Sequence, residues 1–290
     1  MKASTIRKFT QFPLLPNRVV KWLNRYDTAI TYPQLPVVVQ ISSYGRSNQF
    51  EIRNLHADIQ RNIYFRGYYE IREINIVKQF LRAGDIFVDV GANIGLYTIL
   101  ASNIVGQGGR VIAFEPSNQI SKHLRRNLEI NFIKNVKVEQ IALSRENGLA
   151  TWSGVMDTNE GAGSIIRNPE NYTSIIEEVK TLKFDDYFVS HAFKKIRFMK
   201  IDVEGAEMLV LQGMSQVLEK KAVEYLMIEV SDYLLPTVGS SSQELFQMLQ
   251  KSGYDLYLIK YLPFNRYTLK LIQHTTTQKH YFGNIFAVAN

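Results

Sequence analysis

The stretch DIFVDVGANIG, Asp85 to Gly95, decides the fold of this 290-residue chain. Its first part, Ile86 to Val90, is a short run of β-prone residues that is apolar except for Asp89, the pattern of a strand covered on both faces. The turn that follows contains two glycines and leads into LYTILASNIV, which has apolar residues at helical spacing. The sequence therefore predicts a buried strand, a tight turn and a helix, whose first N–H groups offer donors and a positive partial charge to an anion.

The turn lacks the spacing of a dinucleotide fingerprint. That fingerprint needs glycine at its first, third and sixth positions, which here hold Gly91, Asn93 and Leu96. Asp89 would also repel a pyrophosphate, but it would attract an ammonium group. A ligand with both an ammonium and a carboxylate, such as the methionine end of S-adenosylmethionine, would suit Asp89 and the helix start together. The alternative is that the two glycines only allow a close strand-to-helix crossing.

Composition limits the classes of protein and of site. A chain of 290 residues that is 46% hydrophobic can bury a full core, as one large domain or as one domain with an extension. The absence of cysteine excludes disulfides, thiolate zinc sites and cysteine nucleophiles. The five histidines are scattered without metal-ligand spacing, so we predict no metal.

The net charge of +7 is concentrated near the N-terminus, because the first 36 residues carry +5 of it. Within them, Arg18 to Tyr26 fits a short amphipathic helix that contacts a membrane surface or an acidic partner or, as we favour, packs on its own domain. No apolar run approaches the ~20 residues that span a bilayer, and Phe9 to Pro16 is too broken for a secretory signal. We expect a soluble cytoplasmic protein, with peripheral membrane contact through the basic N-terminus as an alternative.

The second predicted strand, RVIAFE, ends in an acid, Glu115. In nucleoside-binding α/β sheets an acid at this place receives the ribose hydroxyls, because a carboxylate accepts two hydrogen bonds at once. Glu115 follows Asp89 by 26 residues, near the ~20 expected in such a unit. The third predicted strand, Val136 to Leu143, places Ile141 and Ala142 where an adenine ring would rest.

A second dense cluster of acids is RFMKIDVEGAE, residues 197–207. It predicts a buried strand that ends at Asp202, with Glu204 and Glu207 in the turn that opens the next helix. The following strand, AVEYLMIEV, brings Glu229 to the same edge. Ligands of open α/β sheets bind at the carboxyl ends of the strands, so we expect these acids to line the site. The alternative for Glu204 and Glu207 is that they only stabilise the start of the helix.

The remaining segments give the domain organisation. Residues 1–63 are expected to form a basic N-terminal extension with a short helix and small strands, and residues 64–290 the main domain. Tyr68, Tyr69 and Glu70 stand at the beginning of a predicted helix, where they would lean over the ligand, although aromatic residues before a helix more often take part in packing. The last two strands are YDLYLI and YFGNIFAVA, with Tyr261 to Lys279 between them.

Two segments after the third strand carry their own signals. Asn147-Gly148 is typical of a hairpin turn and predicts a β-ribbon from Ser144 to Val155. The segment from Met156 to Glu178 is polar and contains glycine, and long loops of this kind are usually functional. We expect acceptor recognition there.

Four motifs in this order, VDVGANIGLYTI, AFEP, KIDVEGAE and MIEV, resemble the FkbM family of S-adenosylmethionine-dependent methyltransferases. The resemblance runs from about Gly67 to the end of the chain, and the pair DVGANIG and DVEGAE is quite specific to that family. It implies an α/β fold with a Rossmann-like, seven-stranded class I methyltransferase sheet, mostly parallel with an antiparallel last strand. The predicted cofactor-binding residues are Asp89, Gly91, Ala92, Asn93, Gly95, Glu115, Ala142 and Asp202.

The resemblance also implies the reaction. Family members known in function largely methylate hydroxyl groups of sugars and secondary metabolites, so we expect methyl transfer from S-adenosylmethionine to a hydroxyl of a sugar, glycolipid or secondary metabolite. An alcohol needs its proton accepted as the new bond forms. With no metal signature and no well-placed histidine, we expect a carboxylate to be the base. Asp202 is the first candidate and Glu204 the second, while Glu207 and Glu229 would position sugar hydroxyls or hold Lys200 and the turn in place.

Other functions remain open on the sequence alone. A nucleotide-dependent oxidoreductase would use the same sheet, although the glycine spacing argues against it. A non-catalytic module with a vestigial cofactor site would bind a membrane or an acidic partner through its basic N-terminus. No nucleic-acid partner is expected, because no base-flipping motif or stripe of alternating aromatic and basic residues occurs. The expected partner is a small-molecule or glycan acceptor, and the sequence does not specify an oligomeric state.

Overall fold

The computed structural model of the protein describes residues 33–42, 46–155, 163–166, 174–263, 265–272 and 281–290. The strands are β1 (Val37–Ile41), β2 (Asn48–Ile52), β3 (Ile86–Val90), β4 (Arg110–Phe114), β5 (Val136–Glu139), β6 (Ala142–Leu143), β7 (Gly148–Val155), β8 (Ser174–Leu182), β9 (Ile196–Ile201), β10 (Val223–Ser231), β11 (Tyr254–Leu262), β12 (Arg266–Leu271) and β13 (Phe282–Ala289). The helices are α1 (Asp58–Arg66), α2 (Ile71–Phe80), α3 (Leu96–Val105), α4 (Asn118–Ile130), α5 (Phe184–Ser190), α6 (Glu207–Gln212), α7 (Ser215–Glu219) and α8 (Ser242–Lys251), with a 3-10 turn at Leu235–Val238.

The main sheet has eight strands in the order β12-β11-β13-β10-β9-β3-β4-β5. Five adjacent strands of this sheet run parallel, namely β5, β4, β3, β9 and β10, whereas β13 is antiparallel to both of its neighbours. The predicted class I methyltransferase fold is confirmed, including the antiparallel last strand. The sheet has eight strands rather than the predicted seven, because β12 adds an edge strand inside the segment that we expected to connect the last two strands. Its largely exposed side chains give it a weak apolar signal.

The register of the central strands decides which side chains share a face. Asp89 of β3 lies beside Lys200 of β9, which in turn lies beside Met227 of β10. Because side chains alternate between the two faces of a strand, Phe87 and Phe198 lie on the same face as Asp89 and Lys200. The two phenylalanine rings stack with their centroids 5.7 Å apart. This face of the sheet therefore carries the charged pair Asp89 and Lys200 next to the stacked pair Phe87 and Phe198.

Each face of the sheet has its own core. On one face, buried residues of the sheet pack with α2 and α3; on the other, they pack with the elements between β9 and β11. The hairpin of β1 and β2 belongs to the first core, since Val39, Ile41, Phe50 and Ile52 are all buried within it. The boundary that we placed after residue 63 stays a prediction, and the predicted basic helix at 18–26 lies outside the described residues.

A small three-stranded sheet, in the order β6-β8-β7, lies between β5 and α5 along the chain. The predicted hairpin at Asn147-Gly148 is wrong, because β6 and β7 both pair with β8 rather than with each other. The Asn147 side chain instead accepts a hydrogen bond from the Lys183 backbone N–H at 2.7 Å and donates one to Asp186. The residue that favoured a turn thus ties β7 to the start of α5.

The predicted recognition loop, residues 156–178, is only partly described. Its last residues belong to β8, which begins at Ser174, and residues 163–166 contact β7. The remainder, 156–162 and 167–173, lies outside the described residues, so acceptor recognition there stays a prediction. Within the part of the chain that is described, no helix combines the length and apolar character needed to cross a bilayer.

Candidate functional site

The turn between β3 and α3 is held tightly against its surroundings. Gly91 and Gly95 have φ angles of +80° and +92°, a backbone conformation that favours glycine. A Cβ at Gly91 would lie 1.8 Å from the backbone oxygen of Asp202, and one at Gly95 would lie 2.3 Å from Leu124 Cδ1. The glycines therefore allow the close crossing that the sequence left as an alternative, and the case for a ligand depends on the cavities around the turn.

Backbone N–H groups of the turn bind within the protein. Gly91 and Ala92 both donate to the carbonyl of Phe114, at 3.0 Å each. Asn93 donates its N–H to Oε2 of Glu115 at 2.9 Å. These three donors fix the turn to the end of β4, and the anion-binding role that we expected for the first N–H groups of the helix stays a prediction.

An apolar cavity with an empty volume of about 530 Å³ lies on the β4 side of the turn. Trp152 forms part of its wall, and Gly163 is so close to that ring that a Cβ would lie 1.9 Å from it. Ser164 exchanges two backbone hydrogen bonds with Ser153, which fixes this short segment next to β7. The residues that line this apolar cavity are Val90, Gly91, Asn93, Phe114, Glu115, Pro116, Ile120, Ile141, Ala142, Leu143, Trp152, Gly163, Ser164, Ile165, Asp202, Val203 and Ala206.

Glu115 is the buried carboxylate of the apolar cavity. Besides the Asn93 bond, its Oε1 accepts the backbone N–H of Ser117 at 3.1 Å. Burial raises the pKa of Glu115 to about 7, although these two hydrogen bonds favour the ionised form. Each carboxylate oxygen can accept more than one hydrogen bond, so both keep capacity for a ligand hydroxyl. An apolar pocket with one such acid at its edge suits an adenosine group.

A second cavity lies on the α2 side of the turn and has an empty volume of about 680 Å³. It shares Gly91, Asn93 and Asp202 with the apolar cavity, so the two cavities meet at these residues. We call it the acidic cavity, because five of its lining residues are acids and one is a lysine. Its lining is Asp58, Ile59, Tyr69, Glu70, Gly91, Ala92, Asn93, Ile94, Leu96, Tyr97, Lys200, Asp202, Glu204 and Glu229.

Asp202 stands at the junction and has two charged neighbours. Lys200 Nζ donates to Oδ2 of Asp202 at 2.5 Å. Burial alone would raise the pKa of Asp202, but Lys200 and a hydrogen bond from Glu229 outweigh it and lower that pKa. The Asp202 charge and burial together raise the pKa of Glu229 to about 10, so Glu229 is the protonated partner at neutral pH. The pair thus holds one proton, next to a fixed ammonium group.

The predicted catalytic carboxyls come together. Asp202, Glu204 and Glu229 each offer an oxygen, and these oxygens lie within 4.8 Å of one another. Glu204 has a φ of +54°, an uncommon conformation for a residue with a side chain. Such a trio has the oxygens that a divalent cation prefers. However, the ammonium of Lys200 already supplies a cation to Asp202, and the prediction that the site uses no metal stays open.

Asp89, which we expected to bind an ammonium group, lines neither cavity. Its side chain is only 1% exposed, and its Oδ2 accepts a hydrogen bond from Thr98 Oγ1 at 2.6 Å. Burial raises the pKa of Asp89, and Lys200 partly offsets this. Asp89 therefore ties β3 to α3 from below the turn, and its direct contact with a ligand stays a prediction.

The Glu207 side chain accepts hydrogen bonds from the backbone of the turn that precedes it. Its Oε1 accepts the N–H groups of Val203 and Gly205, at 3.2 and 3.0 Å, so it supports the turn after β9. Burial raises its pKa to about 7. This matches the structural alternative that we gave for Glu207 and leaves it outside both cavities.

Asp58, Tyr97 and Trp152 are among the site residues that the sequence did not predict. Tyr97 donates a hydrogen bond to Glu70 at 2.8 Å, and Lys200 Nζ lies 4.5 Å from the centre of its ring. Nothing in the order of the residues relates Trp152 to the turn, since β7 is 60 residues further on. Tyr97 is the second residue of α3, directly after the turn Gly91 to Gly95, so its position in the sequence indicates that it lies near the site.

The chain is similar in sequence to known methyltransferases. Residues 89–256 match the family model described as the methyltransferase FkbM domain. The chain is 25% identical over 197 residues to the hexuronic acid methyltransferase AglP of Haloferax volcanii, which covers 67% of this chain and 74% of that protein. It is 26% identical over 202 residues to the 31-O-demethyl-FK506 methyltransferase FkbM of Streptomyces tacrolimicus, with 61% and 75% covered.

One further relative and two solved structures were also found. "Methyltransferase 1" of Beauveria bassiana is 28% identical over 145 residues, and the chain spans 57% of its length. The crystal structure of methyltransferase FkbM from Methylobacillus flagellatus superposes with a TM-score of 0.41 at 16% identity, over 81% of this chain and 61% of that chain. A SAM-dependent methyltransferase from Aquifex aeolicus gives a TM-score of 0.38 at 17% identity, over 75% and 87%.

Proposed function

Since the chain belongs to the FkbM family of methyltransferases, we propose that it transfers a methyl group from S-adenosylmethionine to a hydroxyl oxygen of a sugar, glycolipid or secondary metabolite. The observation that carries this proposal is the junction of two unlike cavities at Asp202. A cofactor with an apolar nucleoside and a charged amino-acid end has to cross such a boundary. Its reactive centre lies between those two ends.

The residues present fit S-adenosylmethionine. The apolar cavity offers Trp152, Ile141 and Ala142 to an adenine ring, and Glu115 to the ribose hydroxyls. The acidic cavity offers carboxylates to the ammonium and sulfonium charges. When bound, this cofactor supplies a methyl group on a positively charged sulfur, which is already a strong electrophile.

The protein's own task is to hold the acceptor oxygen in line and to take its proton. Asp202 is the carboxylate that lines both cavities, so it is the best placed proton acceptor. The pKa of Asp202 lies below its ordinary value, which makes it a weak base towards a free alcohol. An oxygen that is forming a bond to carbon becomes strongly acidic, however, so a weak base suffices late in the transfer. Lys200 and Glu229 keep Asp202 ionised until then.

The acceptor class is supported by the relatives. The names of two of them describe methylation of a hexuronic acid and of the 31-O position of an FK506 precursor. The second name specifies methylation at an oxygen, the acceptor atom of a hydroxyl group. The half-buried carboxyls Glu204 and Glu229 are suited to accept or donate hydrogen bonds to such hydroxyls.

The proposal is tested in two stages with the purified chain. Calorimetric titration first measures the binding of S-adenosylmethionine and S-adenosylhomocysteine, with nicotinamide dinucleotides as controls. We expect micromolar binding of the two sulfur compounds only, lost on Glu115→Ala. Methyl transfer is then followed by mass spectrometry on a panel of glycosides, glycolipids and polyketides. Folded protein that binds neither sulfur compound would contradict the proposal.

The second stage needs a matched pair of variants. Asp202→Asn removes the proposed proton acceptor, whereas Asp186→Asn changes an exposed acid on α5 that lines neither cavity. We expect the first to reduce turnover at least about a hundredfold, within the range of general-base effects, and the second to leave it unchanged. Full turnover in Asp202→Asn would exclude Asp202 as the base.

A further inference from the structure

Glu70 occupies an unusual position at the start of α2. Its φ is +46°, in the left-handed region that residues with a side chain rarely adopt. It is also the N-cap residue of α2, yet its side chain makes no capping hydrogen bond. Helix capping therefore does not explain its conformation. Strained residues of this kind persist where the surroundings hold them, often at ligand sites.

The side chain of Glu70 points into the acidic cavity. It lines that cavity together with Gly91, Ala92 and Tyr97, which form the turn and the first residues of α3. Tyr97 donates to Oε2 of Glu70 at 2.8 Å, and among the described residues no hydrogen bond reaches Oε1. A carboxylate with one oxygen anchored and the other available is arranged to receive a donor from the cavity.

The other acids near the turn are less suited to this role. Asp89 is 1% exposed and is bound to Thr98. Asp202 is bound to Lys200 and shares a proton with Glu229. Glu70 lines the acidic cavity, as Ala92 does, and belongs to neither of these pairings.

We propose, on the basis of the function given above, that Glu70 binds the α-ammonium group of S-adenosylmethionine directly and so positions the amino-acid end of the cofactor. The sequence assigned this role to Asp89, and the structure favours Glu70 because Glu70 lines the cavity. Tyr97 is the positioning residue that holds the carboxylate in place.

The titratable neighbours of Glu70 predict how binding depends on pH. They are Tyr97 from α3, Lys200 and Asp202 from the end of β9, and Glu73 from its own helix. Burial raises the pKa of Glu70 to about 7, with Asp202 and Glu73 adding to the effect and Lys200 and Tyr97 opposing it. An ammonium group binds the ionised form, so binding releases a proton and tightens as pH rises from 6.0 to 7.5.

The test compares two ligands that differ only at the amino-acid end. S-adenosylhomocysteine carries the ammonium and carboxylate groups, whereas 5′-methylthioadenosine lacks both. Each is titrated calorimetrically into wild type, Glu70→Gln and the control Glu73→Gln, which changes a buried acid one turn further along α2 that lines neither cavity.

We expect Glu70→Gln to lower the affinity for S-adenosylhomocysteine and S-adenosylmethionine at least about tenfold at pH 7.5, and to change the affinity for 5′-methylthioadenosine by no more than about twofold. Glu73→Gln should change the affinity for each of the three ligands by no more than about twofold. Equal weakening of every ligand, or no weakening, would overturn the assignment. Wild-type protein that binds none of the ligands would instead defeat the proposed function.

A measurement on the unchanged protein covers the case in which Glu70→Gln does not fold. Titrations in buffers with different heats of ionisation count the protons released per ligand bound. At pH 7, S-adenosylhomocysteine should release more protons than 5′-methylthioadenosine. Glu115 and Glu207 also titrate near pH 7, but they affect both ligands alike, so equal proton release would exclude Glu70 as the ammonium partner.

Discussion

Lys200 Nζ lies 2.5 Å from Oδ2 of Asp202, and the lysine is only 3% exposed. The sheet register places the same lysine beside Asp89, and its charge also acts on Glu70. One buried cation therefore serves three acids that lie around the turn. Removing a single member of such a group leaves an uncompensated charge, which is costly in a buried site.

Lys200→Met should lower the free energy of unfolding by about 3–5 kcal/mol at pH 7.5, the usual cost of breaking a buried ion pair from one side. The loss should shrink towards pH 5, because the acids left without a cation can then take up protons. Urea unfolding at the two pH values measures this. Lys195→Met, at an exposed pair with Glu224, is the control and should cost no more than about 1 kcal/mol.

The free energy of unfolding of the cofactor-free protein should fall as pH rises from 5 to 8. Burial raises the pKa of Glu115 and Glu207 to about 7, and Asp202 with burial raises that of Glu229 to about 10. Each folded-state pKa exceeds the unfolded value near 4.3, so each stabilising contribution is lost as pH rises through the folded pKa.

His123 acts in the opposite direction, because burial lowers its pKa to about 4 and its contribution is gained between about pH 4 and 6.5. The acids outnumber it, and we expect a net fall of at least about 2 kcal/mol. Urea titrations at intervals of half a pH unit would show it. Stability that instead rises steadily to pH 8 would mean that these carboxyls are ionised in the folded protein.

Gly91→Ala should destabilise the protein far more than Gly84→Ala. Both glycines have positive φ, +80° and +86°, so both substitutions carry the same backbone strain, about 1–2 kcal/mol. Only Gly91 has a neighbour in the way, since its Cβ would lie 1.8 Å from the Asp202 carbonyl, while Gly84 has no atom within 4 Å. Thermal unfolding and cofactor titration should separate the two variants, and equal effects would show that the contact is unimportant.

Trp152→Ala should weaken all nucleoside-bearing ligands together. Trp152 is 3% exposed and lines the apolar cavity. Its loss removes the ring surface next to Ile141 and Ala142, and we expect at least about a tenfold loss of 5′-methylthioadenosine affinity, since stacking on an aromatic ring contributes about 1–3 kcal/mol. Leu149→Ala, on the same strand but 63% exposed, is the control. If Trp152→Ala lowered the affinity for S-adenosylmethionine alone, the adenine ring would have to bind away from Trp152.

Chelators should leave cofactor binding and methyl transfer unchanged. The oxygens of Asp202, Glu204 and Glu229 are close enough together for a divalent cation, but Lys200 already neutralises part of their charge. Titration with Mg²⁺ and Mn²⁺, and assays with and without EDTA, check this expectation. Activity that disappears with EDTA and returns with one of these ions would show that the carboxyl trio is a metal site.

Local patterns were enough to predict the fold and the acids at its edge. The eleven residues from Asp85 to Gly95 predict the strand and the turn, and LYTILASNIV predicts the helix that follows. The position of Glu115 follows from the end of the next strand. Asp202 and Glu229 could be placed together because parallel strands end at the same edge. These inferences need only the alternation of strands and helices.

The parts that sequence patterns did not predict depend on contacts between distant segments. Asp89 lies under α3, whose Thr98 donates a hydrogen bond to it, and its contact with a ligand stays a prediction. Asn147-Gly148 favours a hairpin locally, yet pairing with β8 provides a longer ladder for β7, so the tertiary contact prevails. Trp152 reaches the cavity only because that ladder exists.

The contact between Gly91 and the Asp202 carbonyl has a mechanical consequence. The Asp202 N–H also donates to the Val90 carbonyl at 3.0 Å, so the two loops are fastened to each other on both sides of the strand ends. A shift of the turn after β3 must therefore carry Asp202, the proposed base, with it, and the reverse holds as well. If the turn holds the cofactor as proposed, the distance between methyl donor and proton acceptor is fixed by the backbone of the two loops.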